Sequence, residues 1–163
     1  MLFRSLANCV AQVESLALKH EVRIQTDVRA PAHLLAMADP QRLQQVFLNL
    51  LTNGCKYNRP GGMLMAAVDS DGQRLTVSFT DQGAGLTAED IQALFKPFQR
   101  IDRTAQRVEG SGLGLCIAQQ LLQAMGGDIS VSSRVGEGSC FQVHLALAKP
   151  AAQVTAETEA LPV

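Results

Sequence analysis

At 163 residues with 47% hydrophobic side chains, the chain is long enough to bury one core and too short for two comfortable ones. A net charge of −1, 4% aromatic residues and no Trp leave no electrostatic footprint for nucleic acid, and no such partner is expected. No apolar run approaches membrane-spanning length, and Arg4, Asn8, Gln12 and Glu14 interrupt the N-terminal apolar residues, which argues against a signal peptide and against direct membrane contact.

Leu6, Val10, Val13 and Ala17 recur at helical spacing and predict a first helix over about residues 2–18. Val22, Ile24, Thr26 and Val28 alternate in strand fashion over 21–28, and a turn at Ala30-Pro31-Ala32-His33 leads to a short second strand near 34–38. Asp39-Pro40 supplies an N-cap and a first-turn proline for a second helix, closed by the Pro60-Gly61-Gly62 turn. Residues 63–69 and 74–80 read as a hairpin across Ser70-Asp71-Gly72-Gln73. Thr87 caps a short helix to about Phe95, with Asp90 as its acidic capping partner. A third main helix spans about 113–125 and stops at Gly126-Gly127. Strands over 128–134 and 139–148 finish the sheet.

The expected fold is an α+β two-layer sandwich, a mixed, mostly antiparallel sheet of about five strands with three main helices on one face. It occupies 1–148, and 149–163, which lacks periodicity, reads as a disordered tail or linker. Cys9, Cys55, Cys116 and Cys140 have neither metal-site nor redox spacing and read as small buried thiols, with Met37, Met63, Met65 and Met125 as core filler.

The second helix carries two chemistries. At roughly 100° per residue, Leu43, Val46, Phe47, Leu50 and Leu51 make an apolar stripe, while Gln45, Asn49, Asn53 and Lys56 share the neighbouring face. Amide oxygens are hard ligands suited to Mg²⁺, which usually keeps phosphate oxygens as further partners, and a nearby ammonium neutralises more phosphate charge. The alternative is simply the solvated side of an amphipathic helix. Downstream, Asp81-Gln82-Gly83-Ala84-Gly85 puts a carboxylate at a strand end beside two glycines, placed to accept a hydrogen bond from an exocyclic amine such as adenine's. Gly110-Ser111-Gly112-Leu113-Gly114-Leu115 opens a helix, where free N–H groups favour phosphate oxygens. The polar segment 99–109 before it, with Arg100, Arg103 and Arg107, reads as a lid. Dinucleotide-binding and Walker fingerprints are excluded, since Leu115 stands where the former needs glycine and no Gly-Lys-Ser/Thr triplet occurs.

Asn49 to Asn58, Asp81 to Gly85, Phe95-Lys96-Pro97-Phe98 and Gly110 to Leu115, in this order, resemble the asparagine, first glycine, phenylalanine and second glycine boxes of the ATP-binding catalytic domain of bacterial sensor histidine kinases. The resemblance implies a Bergerat-type ATP-binding fold with ATP and Mg²⁺ as ligands. It implies Asn49 on the metal, Lys56 on phosphate oxygens, Asn53 on phosphate or metal-bound water, and Tyr57 along the nucleoside, where packing alone is the competing role. Asp81 would read the adenine amine, Gly83 and Gly85 would give the base room, Arg100 and Arg107 would reach phosphate, and Gly110, Gly112, Leu113 and Gly114 would form the phosphate loop. Gyrase, the heat-shock chaperone ATPases and mismatch-repair ATPases carry a glutamate one turn before the metal-binding asparagine. Here that position is Gln45, and an amide cannot act as a general base, so transfer to an acceptor is favoured over hydrolysis.

Family members phosphorylate a histidine in a separate helical dimerisation domain and pass the group to a response regulator. His20-Glu21 lacks the proline of that motif, and His20, His33 and His144 read as structural or solvated. The chain is therefore expected to be a truncated piece or split module, cytoplasmic even if its parent protein is membrane-anchored. The alternatives are a nucleotide-sensing or scaffold module without transfer activity, and an anti-sigma-factor-type serine kinase.

Overall fold

The computed structural model describes residues 2–31, 34–98 and 112–148. In chain order the elements are α1 (Leu2–Lys19), β1 (Arg23–Val28), α2 (Pro40–Lys56), β2 (Met63–Ser70), β3 (Arg74–Thr80), α3 (Ala88–Ala93), α4 (Gly114–Ala124), β4 (Asp128–Arg134) and β5 (Gly138–Ala146). The sheet runs β1-β2-β3-β5-β4, with β1 parallel to β2 and the other pairs antiparallel. This is the mixed, mostly antiparallel five-stranded sheet expected from the sequence. The short strand expected near 34–38 is instead a single bridge, Ala36 to Leu147, because the chain meets the sheet only where β5 is ending.

Period-two burial explains the layering. Leu64, Ala66 and Val68 on β2, Leu75, Val77 and Phe79 on β3, and Val143 and Leu145 on β5 turn to one face and are buried. Helices α1, α2 and α4 cover that face with Leu6, Cys9, Val13, Val46, Phe47, Leu50, Leu51, Ala118 and Leu122. Phe47 of α2 tilts against Phe79 of β3, ring centroids 5.6 Å apart. Gly54 is buried in the same helix, and a Cβ there would lie 2.6 Å from Leu64 Cδ1. A residue worth about 1 kcal/mol less than alanine in helix propensity thus lets α2 settle on β2.

Capping follows the sequence closely. The Asp39 carboxylate accepts from the Gln41 and Arg42 N–H groups (2.9 and 3.0 Å) with Pro40 at the first helical turn. Thr87 and Asp90 form the reciprocal capping box of α3. Gly126, at φ +72°, ends the α4 region in the left-handed conformation glycine adopts without penalty.

Cys9 and Cys55 are buried, and desolvation pushes both thiols up to about 11; Cys116 and Cys140 are only half-buried, unlike the expectation. Met37 is 58% exposed and is not core filler. No described helix is long and apolar enough to cross a membrane.

Candidate functional site

Helix α2 is fixed on the sheet by its apolar stripe, which turns Asn49, Asn53 and Lys56, all half-buried, to its other side, while Gln45 is exposed. The packing of α4 against α2 brings Gly114, in the described end of the second glycine box, to this face. Asn49 Nδ2 donates to the Gly114 carbonyl at 2.6 Å, which fixes the amide's orientation. A Cβ on Gly114 would collide with Asn49 Oδ1, so glycine at the start of α4 keeps that oxygen uncrowded. An oriented hard oxygen fits a Mg²⁺ ligand. No cluster of three or more His, Cys, Asp or Glu suited to a metal exists among the described residues, so remaining ligands would have to come from water or a phosphate-bearing partner.

Asp81 follows β3 directly and is only 7% exposed. Its Oδ1 accepts from the Gly83 N–H (2.8 Å) and the Ser139 N–H (3.2 Å), while its own N–H donates to the Ser139 carbonyl (2.9 Å). Among the described residues no donor reaches Oδ2, and that oxygen is not sealed from solvent. One carboxylate oxygen is thus saturated inside the protein and the other remains open as an acceptor. Burial holds the carboxyl above its ordinary 3.8, against the downward pull of the Gly83 and Ser139 hydrogen bonds.

The glycines beside Asp81 have a role the sequence did not show. A Cβ on Gly83 would run into the Tyr57 carbonyl, and one on Gly85, at φ +70°, into the Arg134 carbonyl. Both are required so that the loop can lie backbone-to-backbone against the end of α2 and the β4–β5 hairpin. Further grips come from the Leu86 N–H to Ser133 Oγ (2.8 Å) and the Gly136 N–H to the Ala84 carbonyl (2.7 Å).

Tyr57 caps α2 at 41% exposure, so it stands at the rim of the site and not in the core. Phe95 packs against the core, whereas Phe98 is 77% exposed with φ +60°. Gly112 and Leu113 lead into α4; Arg100, Arg103, Arg107, Gly110 and Ser111 lie outside the described residues, as do His33 and the tail 149–163. His144 stands between hydroxyls, Thr76 Oγ1 at 3.3 Å and Ser130 Oγ at 2.8 Å, on the side of β5 away from the helices. Sequence reasoning missed Asn58, Gln82, Ser133 and Ser139 around the Asp81 loop.

Residues 38–149 match the family described as histidine kinase-, DNA gyrase B-, and HSP90-like ATPase. The chain is 37% identical over 137 residues to the adaptive-response sensory kinase SasA of Parasynechococcus marenigrum (strain WH8102), covering 83% of this chain and 35% of that protein. It is 43% identical over 110 residues to the sensor histidine kinase RcsC of Escherichia coli (strain K12), covering 67% of this chain and 12% of that protein. Full-length ShkA, solved in complex with AMPPNP, superposes with a TM-score of 0.78 at 29% identity over 91% of this chain and 30% of that one. The chain thus spans about a third or less of each of these relatives. From the matched residues and the sheet order, the chain belongs to the histidine kinase-, DNA gyrase B-, and HSP90-like ATPase family, and it is similar to part of the sensor kinases named above.

Proposed function

We propose that this module binds Mg·ATP and transfers the γ-phosphoryl group to a histidine on a separate helical dimerisation domain of a two-component sensor kinase, from which a response regulator is served. The observation that carries the reading is the buried Asp81, with one oxygen saturated by Gly83 and Ser139 and the other open to a donor. Adenine's amine is such a donor, and a carboxylate is the acceptor that a guanine carbonyl at the same place would repel. The nucleoside would pass Tyr57, and the phosphates would lie along α2 toward Asn53 and Lys56, with the α4 entrance and Gly112, Leu113 and Gly114 beyond.

Phosphoryl transfer demands positioning and charge neutralisation more than covalent chemistry. Mg²⁺, when bound, would supply charge neutralisation across the phosphates; Asn49 would be its protein ligand, oriented by Gly114. Lys56 would place an ammonium on phosphate oxygens, Arg100 and Arg107 would add lid charges, and Gly110 would extend the phosphate loop. Gln45 is exposed and carries no base, so the chain's own residues offer no route to activate water at that position. The same face would then be cytoplasmic, where ATP is available.

Asn49→Ala should abolish most of the gain in ATP affinity that Mg²⁺ confers, read by titrating wild type and variant with and without the metal. Equal Mg²⁺ dependence in both would remove Asn49 from the metal. The broader reading is tested with γ-labelled ATP. The isolated chain should neither label itself nor release phosphate briskly, and a cognate helical domain added in trans should acquire acid-labile label, since proximity is then supplied. Acid-labile label on this chain would make His20, His33 or His144 an acceptor, and rapid phosphate release would mark an ATPase. No transfer to a verified partner would favour the nucleotide-sensing scaffold, and acid-stable label on a serine of a partner would favour the anti-sigma-type kinase.

A further inference from the structure

Two segments supply the groups assigned to the nucleotide: α2 carries the amides and Lys56, and the loop after β3 carries Asp81. They are joined by a hydrogen-bonded clamp. Asn58, two residues past Lys56, accepts on Oδ1 from the Gln82 N–H (3.2 Å) and the Arg59 N–H (3.0 Å), and its Nδ2 donates to the Met63 carbonyl (3.1 Å). Gln82, next to Asp81, answers from the other side, its Oε1 accepting from the Met63 N–H (3.1 Å) and Arg59 Nη2 (3.3 Å). The backbone has been cleared for this arrangement. A Cβ on Gly62 would lie 2.5 Å from Asn58 Oδ1, and one on Gly83 would run into the Tyr57 carbonyl.

We propose that Asn58, with Gln82, is a positioning residue that fixes the spacing between the phosphate-holding end of α2 and the base-reading Asp81. This rests on the nucleotide reading above and deepens it. A ligand held at two places gains from both only when their separation is set in advance; otherwise the second contact must be assembled each time the first forms. Asn58 and Gln82 are half-buried and polar, standing outside the apolar core that α2 and the sheet share, so the clamp contributes to register more than to burial. Three of its five bonds are long-range and join Gln82 to Asn58, Arg59 and Met63, while the Asn58–Met63 and Arg59–Asn58 bonds are local to the chain between α2 and β2.

The test uses the full 163-residue chain. Wild type, Asn58→Ala, Gln82→Ala and the double variant are titrated with Mg·ATP, with adenosine, and with Mg·pyrophosphate, and their thermal unfolding is recorded. Each single variant should bind Mg·ATP about tenfold more weakly, with adenosine and pyrophosphate unchanged within about twofold, because only the connection between subsites is lost. The double variant should be little worse than either single, as expected for residues acting as one unit. Unchanged ATP affinity in Asn58→Ala would overturn the proposal. A parallel fall for all three ligands with a lowered Tm would overturn it too, marking Asn58 as merely structural, and so would additive losses in the double variant. If wild type itself binds no ATP, the nucleotide reading fails and this inference with it, an outcome distinct from the others.

Discussion

Replacing Gly138 with alanine is expected to destabilise the fold by about 2–5 kcal/mol, the sum of left-handed strain and an overpacked contact. Gly138 opens β5 at φ +104°, and a Cβ there would run into the Asp81 carbonyl, with Gln82 Cα 3.0 Å away. Those neighbours are backbone, and Asp81 is held in place by its N–H bond to the Ser139 carbonyl (2.9 Å), so neither side can yield cheaply. Gly136 provides the comparison. It too has positive φ, +84°, but a Cβ there would meet nothing within 4 Å, so Gly136→Ala should lose only the conformational part, about 1–2 kcal/mol. Urea unfolding of both variants separates the two contributions. Equal losses would mean that the approach of β5 to Asp81 is looser than described. ATP affinity should fall in Gly138→Ala and hold in Gly136→Ala, since only the former displaces the walls around Asp81.

Asp81→Asn should move stability and affinity in opposite directions. Asparagine can retain Oδ1 as acceptor for Gly83 and Ser139 while removing a buried charge. Its NH₂ would take the place of Oδ2 and face the adenine amine donor to donor, so ATP binding should weaken by about 1.5–3 kcal/mol, the worth of a hydrogen bond to a charged group. The sign of the pH effect follows from burial. Because the folded-state value of Asp81 is raised above 3.8, the native state binds the proton more tightly than the unfolded chain. Wild-type stability from this group is therefore greatest below the ordinary carboxylate value and declines as pH rises through 3.8 toward the raised folded value, remaining lower above it. The advantage of Asp81→Asn over wild type should open across that interval and then level off. A variant less stable than wild type near neutral pH would show that the buried charge is compensated by more than these two bonds.

Most of the architecture was legible because it is written in local periodicity and capping. Alternation located β4 at residues 128–134 and the β2–β3 hairpin to within a residue, and the Thr87/Asp90 pair announced α3. The bridge at Ala36 escaped because a single pairing leaves no alternating pattern of its own. In the site, the residue types of Asn49 and Asp81 could be read as chemistry, but what orients them could not. Gly114 lies 65 positions from Asn49, and Ser139 lies 58 from Asp81. Gly83 and Gly85 show the same limit from another side: the sequence marks where a side chain is missing, and only the fold reveals that Tyr57 and Arg134 backbone fills the gap. Asn58 closed the asparagine box as a residue without a task, since its partner Gln82 is 24 positions away.

The sheet order has a kinetic consequence. β2 and β3 meet through a tight turn, but β3 finds β5 only after α3, the intervening chain, α4 and β4 have all been threaded past. Loop closure over that span is entropically costly, and such distant pairings tend to form late. The walls of Asp81 come from both sides of this junction, so the proposed seat for a nucleotide's base would exist only once the last strand has docked. A partly folded chain would own the amide-bearing helix and the first hairpin without owning a receptor, and ligand would reward completion alone.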